Sequence, residues 1–208
     1  MPGLTNEFAL LSSLSLLDYK SHVGLASQFV SVNVAQCAQA YSKLVADSTK
    51  RTELGRNAKM TVGAKFSGPN IIRQYQYLLS ELAKLRKNAE VSFAPENKSI
   101  ASYPTRLDTS IAFADYATSV LSPTSHLRLD SSKDEAASLL AALEPLPLAA
   151  IAKSMLLPPE EMRTVLNLLE NKDSSTVSDL TQHFNSDKGK ELLLSILWLS
   201  KMGIISIN

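Results

Sequence analysis

Residues 47–86 read "DSTKRTELGRNAKMTVGAKFSGPNIIRQYQYLLSELAKLR". Asp47-Ser48 supplies an N-cap for a helix whose apolar line is Leu54, Ala58 and Val62, with Phe66 one turn further on. Gly55 and Gly63 weaken that helix, each by about 1 kcal/mol against Ala. The "SGPN" stretch then breaks the chain. Ser67 is placed to cap a new helix, and Pro69 is tolerated in its first turn, where the missing N–H would be unpaired anyway. Over residues 69–87, Ile71, Ile72, Tyr75, Leu78, Leu79, Leu82 and Leu85 share one face, while Arg73, Gln76, Glu81, Lys84 and Arg86 fall mostly on the other. A stripe that wide requires a partner surface.

Upstream, "VAQCAQAYSKLVA" (34–46) places Val34, Cys37, Ala38, Tyr41, Leu44 and Val45 at helical spacing, with Asn33 as N-cap. On this stripe Cys37 reads as a small buried hydrophobe. The alternation in "SQFVSVN" (27–33) predicts a short strand. Downstream, the polar, proline-containing stretch 91–110 reads as a linker. Beyond it lie a short helix, "SHLRLD" as an edge strand, and helices punctuated by Pro145/Pro147 and Pro158/Pro159. The end of the chain gives a helix from Val177 to Phe184, a turn, a helix over 188–202, Gly203 as a C-terminal cap, and an alternating "IISIN" strand. That order is the order of a winged-helix module.

An apolar fraction of 45% and a charged fraction of 20% over 208 residues are those of an ordinary globular protein. No run approaches a membrane span, and "MPGLTNEFALLSSLSLLDYK" lacks the basic start and cleavage site of a signal peptide, so a cytoplasmic location is expected. One cysteine excludes an internal disulfide and a cysteine metal cluster. Net charge is +6 over residues 1–107 and −5 over 108–208, which suggests a domain boundary near residue 107.

No active site is legible in the residues. His22, His126 and His183 have no metal-ligand spacing, and the seven glycines form no phosphate loop. Asp134-Glu135 and Glu160-Glu161 are adjacent, which suits first-turn helix charges better than acid/base catalysis. Trp198, Leu194, Leu197 and Met202 have core spacing. As a DNA reader, the 188–202 helix offers Lys188 and Lys190 to phosphate but few side chains to bases, on an acidic domain. Catalytic, cofactor-binding and metal-binding residues are therefore all expected to be none, with no cofactor, and nucleic acid is disfavoured as a partner.

The order of parts in residues 25–86 resembles the C-terminal end of group 1 (family 4) bacterial glycosyltransferases. The resemblance rests on "LVADSTKRTELGRNA", "KFSGPNII" and "RQYQYLLSELAKLR", where the family has an arginine- and LG-containing helix, an aromatic "FSW" turn and a final QY-containing helix. Gly68 stands where the family's turn carries its second aromatic. The resemblance covers under a third of the chain. It implies a helical remnant of a two-Rossmann-domain, nucleotide-sugar-dependent enzyme, whose last long helix crosses back onto the first domain. The second half also looks like the appended C-terminal domain of some bacterial members. The family's Glu-x7-Glu donor signature has no match in this sequence, so no catalytic residue carries over.

The resulting expectation is a mainly α chain with a few short strands. Residues 1–90 would be the C-terminal part of a Rossmann-like glycosyltransferase domain, 91–110 a linker, and 111–208 a helical, winged-helix-like domain. The chain would be inactive alone. Its partner would be the missing catalytic portion, or another protein bound through the apolar face of helix 69–87, with a homo-oligomer as a further option. The alternative is a non-enzymatic helical interaction module.

Overall fold

A computed structural model describes residues 5–89, 107–170 and 175–208. In chain order these form α1 (Asn6–Ser13), α2 (Tyr19–Ser27), α3 (Val34–Ala46), α4 (Ser48–Thr61), a π-helical turn (Val62–Phe66), α5 (Gly68–Asn88) and α6 (Thr109–Ala112). There follow β1 (His126–Leu129), α7 (Lys133–Leu143), α8 (Pro147–Ala152), α9 (Pro159–Glu170), β2 (Ser175–Thr176), α10 (Val177–Thr181), α11 (Gly189–Lys201) and β3 (Ile205–Ile207). The protein is mainly helical with one small antiparallel sheet. Two compact units divide the described residues: 5–32 with 107–208, and 33–89. Residues 5–32 thus group with the C-terminal part of the chain, a division different from the single boundary near residue 107 suggested by charge. Most of the expected linker, residues 91–106, lies outside the described residues.

The first unit is built around α11. Leu192, Leu194, Ser195, Ile196, Trp198 and Leu199 of this helix are all buried. Around them pack Val165, Leu166 and Leu169 of α9, Leu140 of α7, Leu127 of β1 and Leu180 of α10. Each such side chain withdrawn from water contributes roughly 1.5–3 kcal/mol before entropy is counted. Several boundaries follow from local chemistry. Ser132 and Glu135 form a reciprocal capping box at the start of α7, and Thr176 and Asp179 form another at α10. Pro147 and Pro159 open α8 and α9, as their spacing predicted. Helix α10 is shorter than the sequence suggested, stopping at Thr181 rather than Phe184.

Gly203 takes a left-handed φ of +71°. Its amide donates to the Ser200 carbonyl, and that of Ile204 to the Leu199 carbonyl, closing α11 in a Schellman motif. The chain then turns into β3. Strand β1 lies in the middle of the sheet order β2-β1-β3 and not at its edge, correcting the sequence expectation. Leu127 faces Ser175 on one side and Ile207 on the other, and it is fully buried. A partner two residues long, Ser175-Thr176, left no alternating pattern that the sequence could reveal.

The N-terminal helices belong to this same core. Phe8 of α1 stacks on Phe29 at 5.7 Å between ring centroids, and both are buried in the cluster that contains Trp198. Polar contacts fix the arrangement at three places. Glu7 pairs with Lys190 at 2.6 Å, the Lys201 ammonium donates to the Val30 carbonyl at 2.9 Å, and Asp108 Oδ1 accepts from the Thr5 hydroxyl and from Ser110. The expected strand over residues 27–33 does not form. Phe29 turns into the core after α2 ends, while Val30 and Val32 stay exposed and no neighbouring strand pairs with them.

In the second unit, α3 spans the residues expected, with the Asn33 side chain accepting from the Gln36 amide at 2.9 Å. Asp47 caps α4 by accepting from the Lys50 amide at 2.9 Å. Arg51 reaches back to the Leu44 and Val45 carbonyls at the end of α3, fixing the α3–α4 corner. Ser67 sits at the N-cap position of α5 but makes no capping bond with its side chain. Asn70 does the local work instead: its amide donates to the Ala64 carbonyl at 2.6 Å and to the Gly63 carbonyl at 3.3 Å, closing the end of the π-helical turn.

Candidate docking face

The second unit has helices but no interior. Among the described residues 33–89 not one is buried. On α5, Tyr75 is 62% exposed, Leu78 51% and Leu85 65%. Ile72, Leu79 and Leu82 are exposed beside them, and Ile71 is half-buried. The α3 stripe is equally uncovered: Val34, Tyr41 and Val45 are exposed. Cys37 is exposed too, correcting its expected burial, because nothing among the described residues covers the face it occupies. Apolar and charged side chains are segregated along α5, and its apolar stripe is uncovered among the described residues.

Charge in the unit is one-sided. Residues 33–89 hold ten Lys and Arg against three Asp and Glu, a net +7. On α5, Arg73, Lys84 and Lys87 lie away from the apolar stripe, and Lys84 is tied to Glu81 at 2.8 Å. A shallow hollow runs along α4, lined by Ser48, Thr49, Thr52, Glu53 and Arg56. These side chains lie along one exposed helix and present no nucleophile–base pair.

The candidates for chemistry fall elsewhere, and apart. His22 is buried with Nδ1 3.3 Å from the Phe8 carbonyl oxygen. His183 places Nδ1 2.9 Å from the Asp179 carbonyl oxygen, and His126 lies on β1. No group of three metal-ligating side chains forms among the described residues. The adjacent acids take structural places, with Glu135 in its capping box and Glu161 paired with Lys188. That pairing raises the Lys188 pKa above its ordinary value, because the Glu161 carboxylate accepts a hydrogen bond from the ammonium.

Helix α11 is unsuited to entering a DNA groove. Six of its residues are buried in the core, and its two leading lysines are engaged by Glu161 and Glu7. Among the described residues no helix is long and apolar enough to cross a membrane. No family model, no curated protein and no solved structure matches the chain.

Proposed function

We propose that the chain is the C-terminal portion of a nucleotide-sugar-dependent glycosyltransferase, contributing a docking unit and not a catalytic centre. The observation that carries this reading is the uncovered stripe of Tyr75, Leu78, Leu82 and Leu85 on α5, directly after the Phe66-Ser67-Gly68-Pro69 turn. In the family that the segment resembles, the corresponding helix lies across the body of the enzyme. The stripe fits that use: it is apolar, continuous over about three turns and free of charge along its middle. The C-terminal unit is read as a winged-helix-like domain used for packing, since its would-be recognition helix is consumed by the core.

Coding DNA on the 5′ side of the Met1 codon, expressed together with the chain, tests this. The expected result is a product with two Rossmann-type halves and a Glu-x7-Glu helix that co-purifies with the chain and transfers sugar only with it. Turnover of a nucleotide-sugar by residues 1–208 alone overturns the reading.

A further inference from the structure

We infer that α5 pairs with α5 of a second copy of this chain as a short parallel coiled coil. The argument is one of register and charge. Ile71, Tyr75, Leu78, Leu82 and Leu85 are spaced alternately by four and three, which is the d-a-d-a-d seam of a heptad repeat. Their side chains lie uncovered or half-covered along one side of a continuous helix. In that register the g positions are Gln74, Glu81 and Asn88, and the e positions are Ile72, Leu79 and Arg86.

Orientation then follows from the flanking charges. In a parallel pair a g residue faces the e residue five positions later on the other helix. Glu81 therefore meets Arg86 of the second copy, and symmetry makes the contact twice. An antiparallel pair sets g against g, where Gln74, Glu81 and Asn88 offer no cation, and Arg86 against apolar e positions. Arg73, Lys84 and Lys87 fall at outer positions c and f, so the unit's +7 charge stays clear of the seam.

This inference goes beyond the docking reading, because pairing needs only this chain. The two uses of the stripe exclude one another, so the pair is a cover that a catalytic body would displace.

Sedimentation of the full chain over a range of concentrations tests it. A reversible species of twice the chain mass is expected. Glu81→Lys and Arg86→Glu, each placing like charges at both contacts, should each weaken the dimer by about tenfold. The double variant Glu81→Arg, Arg86→Glu should restore it, with circular dichroism unchanged throughout. A chain that stays monomeric, a monomer that binds vesicles of anionic phospholipid, or a double variant no better than the singles overturns the parallel pair. None of these outcomes bears on sugar transfer, which tests the glycosyltransferase reading separately.

Discussion

The Ser195 hydroxyl of α11 accepts a hydrogen bond from the Leu157 amide at 2.9 Å, and both residues are inside the core. This bond anchors the segment between α8 and α9 to the central helix. Ser195→Ala would leave a buried amide without its acceptor, an omission that costs about 1–3 kcal/mol. Urea unfolding of the full chain should show the midpoint falling with little change in slope.

Two left-handed residues carry predictions of opposite sign. Gly203 closes α11 at φ +71°, and Ser15 closes α1 at φ 58° in the same Schellman pattern, with the Leu16 amide donating to the Leu11 carbonyl. A Cβ at such a position costs about 1 kcal/mol or more. Gly203→Ala should destabilise by about that amount, although nothing lies within 4 Å of the added carbon. Ser15→Gly should stabilise by up to about 1 kcal/mol. Thermal unfolding of the two variants gives the comparison.

Asp18 caps α2 by accepting from the Ser21 amide at 2.6 Å, and that bond holds its carboxyl below the ordinary carboxylate pKa. A depressed folded-state pKa means the cap stabilises above the unfolded-state value. That stabilisation is lost as pH falls below about 4, through the folded-state value. Asp18→Asn keeps an acceptor but does not titrate. The acid limb of its stability curve should be shallower than that of the native chain, while stability at neutral pH stays close to it.

Burial separates two helices of similar apolar content. Leu192 of α11 is fully buried, and Leu192→Ala should cost roughly 2–5 kcal/mol. Tyr41 and Val45 of α3 are exposed, and alanine at either should change stability by less than about 0.5 kcal/mol. Equal losses in chemical denaturation would mean that α3 is covered in solution.

Much of the helical layout could be read locally. Asn33, Asp47, Pro147, Pro159 and Gly203 each mark a helix end through a short-range effect that acts within a few residues. What could not be read was nonlocal. Nothing near residues 5–29 announces that Phe8 and Phe29 will join the cluster around Trp198, and net charge suggested a different division. The strand at 126–129 looked like an edge because its neighbours are two and three residues long and distant in sequence. The α5 stripe was visible as a pattern, but periodicity reports that a face is apolar and not what covers it. Cys37 failed for that reason: it sits on an apolar line that the described residues leave open.

The pairing of Glu7 with Lys190 has a consequence for synthesis on the ribosome. Helix α1 has its partner at the start of α11, about 180 residues later. At 5–20 residues per second, on the order of ten seconds or more passes before α11 exists to receive it. Throughout that interval Phe8 and Phe29 lack the α11 side of their cluster, and this core closes only once α11 has been made.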